Sequence, residues 1–167
     1  SIEEVNPRTG AVRDVIRGSM SVPGGLAINT VGDTEWIYVA DLYTTRRVNT
    51  ATGATEIIEK SMGMSVSAYG SSATVSDKHL ILSSWFRNAV QVVDLETFEP
   101  VFDIRGLKTP HDALELKDGT FLIAETGANR LVQMSAAGEV LKVVASGMGA
   151  PIGLAWQNSS TVYVTDA

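Results

Sequence analysis

Pro23-Gly24-Gly25-Leu26-Ala27, followed nine residues later by Trp36-Ile37-Tyr38-Val39-Ala40-Asp41, is the stretch on which the fold turns. A proline, a short apolar run, a polar turn and a second apolar run closed by an acid describe two short antiparallel strands. The same frame returns twice, as Pro110-His111-Asp112-Ala113-Leu114 leading to Phe121-Leu122-Ile123-Ala124-Glu125, and as Pro151-Ile152-Gly153-Leu154-Ala155 leading to Val162-Tyr163-Val164-Thr165-Asp166. A degenerate copy runs from about Met64 through His79-Leu80-Ile81-Leu82-Ser83-Ser84. The second strands therefore end at Asp41, Ser84, Glu125 and Asp166, at intervals of 43, 41 and 41 residues. A steady interval of this size marks a repeat architecture.

After each second strand come a polar turn and two further apolar runs: Arg47-Val48-Asn49 with Thr55-Glu56-Ile57-Ile58, Ala89–Val93 with Pro100–Ile104, and Arg130–Met134 with Val140–Val144. Val, Ile, Tyr and Phe dominate the runs, and turns such as Lys117-Asp118-Gly119 separate them. No window carries a helical stripe of three turns. The expectation is an all-β chain, a β-propeller of about four four-stranded antiparallel blades covering residues 22–60, 63–105, 108–146, and 150–167 with 1–18. An ordinary β-sandwich is the competing architecture, and the recurring proline and acid argue against it.

The last unit is split between the chain ends. Residues 151–166 supply strands one and two, and the stretch from Val5 to Ile16 reads as strands three and four. Two arrangements follow: a ring closed by pairing these ends in one blade, or a stretch of a larger propeller whose exposed edges lead to a homo-oligomer or another partner.

Nineteen acidic against thirteen basic side chains give a net charge of −6, which repels phosphate backbones and argues against nucleic acid as a partner. Without cysteine there is no disulfide framework and no thiolate ligand. No run of apolar residues is long enough for a membrane span, and residues 1–20 lack a basic start followed by an apolar core, so no signal peptide is visible. The chain opens on Ser1 rather than Met, which leaves room for a removed leader or an upstream segment; the compartment stays unassigned.

The pattern Pro-x-Gly-Leu-Ala, an apolar strand ending in Asp or Glu, and Asn-Arg or Arg-Arg entering strand three resembles the NHL-repeat group of propellers and its lactonase-like and virginiamycin B lyase-like relatives. Such repeats define architecture far better than function. In one copy, Pro110-His111 is followed fourteen residues after the histidine by Glu125 and then Gly127-Ala128-Asn129-Arg130. This copy looks like the blade of the virginiamycin B lyase-like family that holds a catalytic histidine and a metal-binding glutamate. The resemblance implies His111 as base and Glu125 as ligand of a divalent cation such as Ca or Mg, at the mouth of the channel. A histidine there can equally cap the inner strand, and His79, at the start of a second strand, is out of frame to supply a further ligand.

Asp41, Glu125 and Asp166 recur at equivalent positions and could line one rim as an oxygen-rich metal site; salt-bridging to Arg46, Arg47 and Arg130 is the alternative. Trp85 and Phe86 follow a second strand, where an aromatic pair forms a binding surface or packs between blades. Tyr43, in the corresponding loop of the first copy, is read in the same way. The functional expectation is a binding or assembly module that takes a protein or small-molecule ligand at its loop face, without chemistry of its own; the alternative is a divalent-metal-dependent lyase or hydrolase.

Overall fold

A computed structural model describes residues 1–18, 20–42, 44–60 and 72–167. Tyr43 and Met64 lie outside the described residues. The described residues form sixteen strands and one short 3-10 turn, Thr126–Ala128. In chain order the strands are β1 (Ile2–Val5), β2 (Val12–Ile16), β3 (Gly25–Val31), β4 (Thr34–Ala40), β5 (Thr44–Asn49), β6 (Thr55–Lys60), β7 (Ser72–Val75) and β8 (His79–Ser84). They continue as β9 (Ala89–Asp94), β10 (Pro100–Arg105), β11 (Pro110–Glu115), β12 (Phe121–Glu125), β13 (Arg130–Met134), β14 (Val140–Ser146), β15 (Pro151–Asn158) and β16 (Thr161–Asp166).

Every ladder is antiparallel and joins neighbours in sequence. Three four-stranded sheets result, β3-β4-β5-β6, β7-β8-β9-β10 and β11-β12-β13-β14, with two-stranded sheets β1-β2 and β15-β16 on either side in sequence. Strand alternation gives each sheet two faces, and each face packs on the next sheet. Val39 and Val48 meet Ile2 and Ile16; Ala27, Tyr38 and Ala40 meet Ala73, Leu80 and Leu82. Ile81, Val90 and Ile104 meet Phe121, Ile123 and Val132, and Leu122 and Leu131 meet Leu154. The core is thus a series of apolar layers between consecutive sheets rather than one central mass.

No ladder joins β16 to β1 among the described residues, so the blade expected from pairing the two chain ends is not formed. β15-β16 rests on the third four-stranded sheet and β1-β2 on the first, and the two pairs share no apolar cluster among the described residues. The N-terminal pair also begins at Ile2, earlier than the Val5 at which the sequence reading placed it.

Three of the turns between third and fourth strands repeat one device. Asn6 accepts from the amides of Arg8 and Thr9, Asn49 from Ala51 and Thr52, and Asp94 from Glu96 and Thr97, all between 2.8 and 3.1 Å. Each turn then needs a left-handed residue. Gly10 and Gly53 supply it in two, whereas Phe98 adopts φ 59° in the third. Its ring explains the exception: the Arg47 guanidinium lies 4.7 Å from the Phe98 ring and 4.2 Å from Trp36, so a cation is held between aromatic rings of two adjacent sheets.

At the inner strands, β3 and β7 approach so closely that a Cβ on Gly25 would lie 2.5 Å from the Ser72 backbone. Glycine at position 25 therefore has a steric cause. In the third copy Asp112 takes the same place, and the consequences appear at the site below.

Candidate functional site

The ladder pairs Pro110 with Glu125, so the start of β11 and the end of β12 share one end of the sheet. His111 lies half-buried at that end, within a register shift between Pro110 and Asp112. His111 and Glu125 thus come from the same end of the β11-β12 pair.

Glu125 is 2 % exposed, and both of its oxygens are engaged. Oε1 accepts from the Lys108 amide at 2.8 Å, and Oε2 accepts from the Arg130 Nε at 2.5 Å, with the Arg130 Nη2 at the same distance. Asp41 is spent in the same way. It accepts from the amides of Ser21, Val22 and Leu42 at 2.7 to 3.1 Å, with the Arg46 Nε at 3.8 Å. Asp166 accepts from the amides of Gly149 and Ala150 at 3.1 and 2.7 Å. All three carboxylates therefore close the segment entering strand one onto the end of strand two of the same unit. This is the physical content of the repeating acid: amides approaching an inner strand need an acceptor, and a carboxylate serves several.

The arginines divide as the salt-bridge alternative expects for Arg46 and Arg130. Arg47 instead pairs with Glu56, Nε to Oε2 at 2.7 Å, because its side chain runs along β5 toward β6. Among the described residues, no group of three or more His, Asp or Glu side chains is arranged to hold a metal ion.

Trp85 and Phe86 occupy the turn after β8 and are 44 % and 51 % exposed. Their rings meet edge to face with centroids 5.8 Å apart. The pair makes its own contact and still presents apolar surface to solvent.

Asp112 is the group that sequence reading missed. It is 7 % exposed and links three sheets: Ser72 on β7 donates to Oδ1, the Leu154 amide on β15 donates to Oδ2 at 2.8 Å, and the Ala113 amide donates to Oδ1 at 2.9 Å. Burial pushes its carboxyl above the ordinary range, against the pull of the Ser72, Leu154 and Ala113 donors and of the nearby His111 imidazole. Neighbouring bonds follow the same inner seam, with the Thr74 hydroxyl donating to the Ala113 carbonyl at 2.6 Å and the Thr126 hydroxyl to the Pro151 carbonyl. A signal was present in the sequence, since a carboxylate stands where the first and last copies carry Gly25 and Gly153.

No family model matches the chain, and no curated protein matches it. Solved structures do. The chain is similar to a chain of the nidogen/laminin complex over 99 % of its own length and 64 % of that chain, with TM-score 0.79 and 16 % identity. The fold is that of a β-propeller. A catalytically inactive virginiamycin B lyase from Staphylococcus aureus with quinupristin gives TM-score 0.66 and 17 % identity over 91 % of this chain and 51 % of that one. A streptogramin B lyase gives 0.67 and 13 %, over 90 % and 50 %. The propeller described here thus spans about half to two thirds of the length of these matches. Among its described residues no helix is long and apolar enough to cross a membrane.

Proposed function

We propose that the chain is an NHL-like binding propeller whose loop end, marked by Trp85 and Phe86, docks a protein partner without chemistry of its own. The observation that carries this reading is a contrast on the repeat's second-strand ends. The carboxylates of Asp41, Glu125 and Asp166 are consumed within their own units, while the following turn of the second unit presents Trp85 and Phe86, 44 % and 51 % exposed, with the Arg87 guanidinium 5.8 Å from the Phe86 ring. Exposed tryptophan is among the side chains that most often anchor protein interfaces, and phenylalanine is enriched there. A phage-displayed peptide selection against the whole chain tests it. Enriched peptides are expected to lose about tenfold or more in affinity for the Trp85→Ser, Phe86→Ser double variant, as loss of a binding anchor requires; peptides indifferent to that change would count against the reading.

The second reading is a divalent-metal-dependent lyase or hydrolase of the virginiamycin B lyase-like kind. What favours it is His111, half-buried at the same end as Glu125 and close enough to Asp112 to influence its titration. The glutamate does not fit the implied cation, because the Lys108 amide and the Arg130 guanidinium already occupy its oxygens.

Assembly belongs to the first reading. β1-β2 and β15-β16 are each two-stranded, so each leaves an edge that another hairpin could pair with. We read residues 150–167 and 1–18 as part-blades whose open edges take up further strands, from a second copy or from another segment. Sedimentation of the 167-residue chain is expected to show a discrete dimer or larger closed species; a monomer at all concentrations would contradict this.

A further inference from the structure

The turn that follows β8 departs from its counterparts in charge as well as in side chains. In the first and third units an acid ends the second strand and an arginine at the start of the third answers it, Asp41 with Arg46 and Glu125 with Arg130. The second unit carries Ser84 and Ala89 at those places, so that ion pair cannot form there. What the turn carries instead is Trp85-Phe86-Arg87-Asn88.

Its backbone is held from two sides. Ser84 Oγ accepts from the Arg87 amide at 3.2 Å, the Asn88 carbonyl accepts from the Leu107 amide at 3.2 Å, and Asn88 Oδ1 accepts from the Thr109 amide at 2.9 Å. Asn88 closes the turn at φ 53°, a left-handed conformation that asparagine tolerates better than most residues. Side chains on this turn are therefore presented from backbone tied both to β8 and to the segment entering β11, and little ordering remains to be done on binding.

Arg87 is the unspent charge of this surface. Arg13, Arg17, Arg46, Arg47, Arg105 and Arg130 each pair with a carboxylate of their own chain. Arg87 pairs with none among the described residues, in a chain with nineteen acids against thirteen basic side chains. It is half-buried, and its Nε is shut away from water with no hydrogen-bond acceptor among the described residues. Its guanidinium lies 5.8 Å from the Phe86 ring. A carboxylate brought to this guanidinium meets a charge with no internal competitor, beside two exposed aromatic rings.

We propose that this turn takes an acidic segment of a protein partner, with an Asp or Glu side chain at the Arg87 guanidinium and a neighbouring large apolar side chain on the Trp85 and Phe86 rings, a proposal that rests on the docking reading above and adds the partner's charge to it. Tryptophan and arginine are the side chains most enriched at the energetic centres of interfaces. Peptides selected on phage against the whole chain, joined to the coat protein through their C-termini so that only side-chain carboxylates are sampled, test it. Enriched sequences are expected to carry Asp or Glu next to a large apolar residue. Synthesised with amidated C-termini and measured by fluorescence anisotropy, they should lose about tenfold in affinity when their acid is changed to its amide, and about tenfold in Arg87→Gln. The two changes together should cost little more than either alone, as one shared contact requires. Arg87→Lys should recover part of the loss, and Arg105→Gln, whose arginine is exposed and already paired with Asp103, should leave binding unchanged. Circular dichroism of each variant verifies its fold. Peptides that depend on Trp85 and Phe86 but show no enriched acid, or keep full affinity in Arg87→Gln, would overturn the acidic partner and leave the docking turn standing. Peptides indifferent to Trp85 and Phe86, or no enrichment at all, would overturn both.

Discussion

Glu125→Ala is expected to lower stability by about 2–4 kcal/mol, the cost of taking a buried charged acceptor from a backbone amide and a part-exposed guanidinium. The carboxylate is 2 % exposed, and its loss strands the Arg130 guanidinium and the Lys108 amide without their acceptor. Such a loss is a large part of the stability of an ordinary domain. Glu125→Gln keeps the shape and one acceptor oxygen, and should fall between the variant and the parent. Asp166→Ala provides the control, because Asp166 makes the same kind of bond to Gly149 and Ala150 but is exposed, so water replaces it at about 1 kcal/mol or less. Urea unfolding of the three variants checks the order; equal effects at Glu125 and Asp166 would show that burial is not what gives the clamp its strength.

Asp112→Ala is expected to cost about 2–4 kcal/mol, since the Leu154 and Ala113 amides and the Ser72 hydroxyl lose an acceptor together. The loss falls between sheets, so it should loosen the contact of β15-β16 with the rest before the other ladders. Its pH dependence has a definite sign. The folded-state carboxyl titrates above its unfolded value because burial disfavours the charge. The folded chain therefore binds the proton more tightly, and this contribution is fully present below the ordinary carboxyl range and lost as pH rises through the raised folded value. The stability difference between the parent and Asp112→Ala should accordingly widen as the pH is lowered through that window. A difference that narrows there would reverse the assignment.

The architecture was legible because a repeat converts a one-dimensional interval into equivalent positions on successive sheets. Proline before strand one and an acid after strand two marked Pro110, Glu125, Pro151 and Asp166 correctly as strand boundaries. The closing pair was not legible, since adding complementary half-units from the two ends says nothing about the angle through which intervening sheets turn the chain. Asp112 was passed over because attention went to His111 beside it, whereas the informative feature was a carboxylate in a position that close backbone approach reserves for glycine at Gly25. The set in which the Ser76 hydroxyl and the His79 Nδ1 meet Glu115 Oε2, at 2.5 and 2.8 Å, was invisible for a different reason. Its members come from two units and meet only through sheet packing, so no spacing within one repeat announces them.

The central claim is that the acids ending the second strands are internal clamps, and thermal unfolding with and without divalent cations addresses it directly. Wild type and Glu125→Gln would each be melted in chelator, in millimolar calcium and in millimolar magnesium. The predicted result is that Glu125→Gln melts lower than wild type by the same margin in all three solutions. A melting temperature that rises with either cation in wild type, and fails to rise in Glu125→Gln, would make that carboxylate a metal ligand and contradict the account.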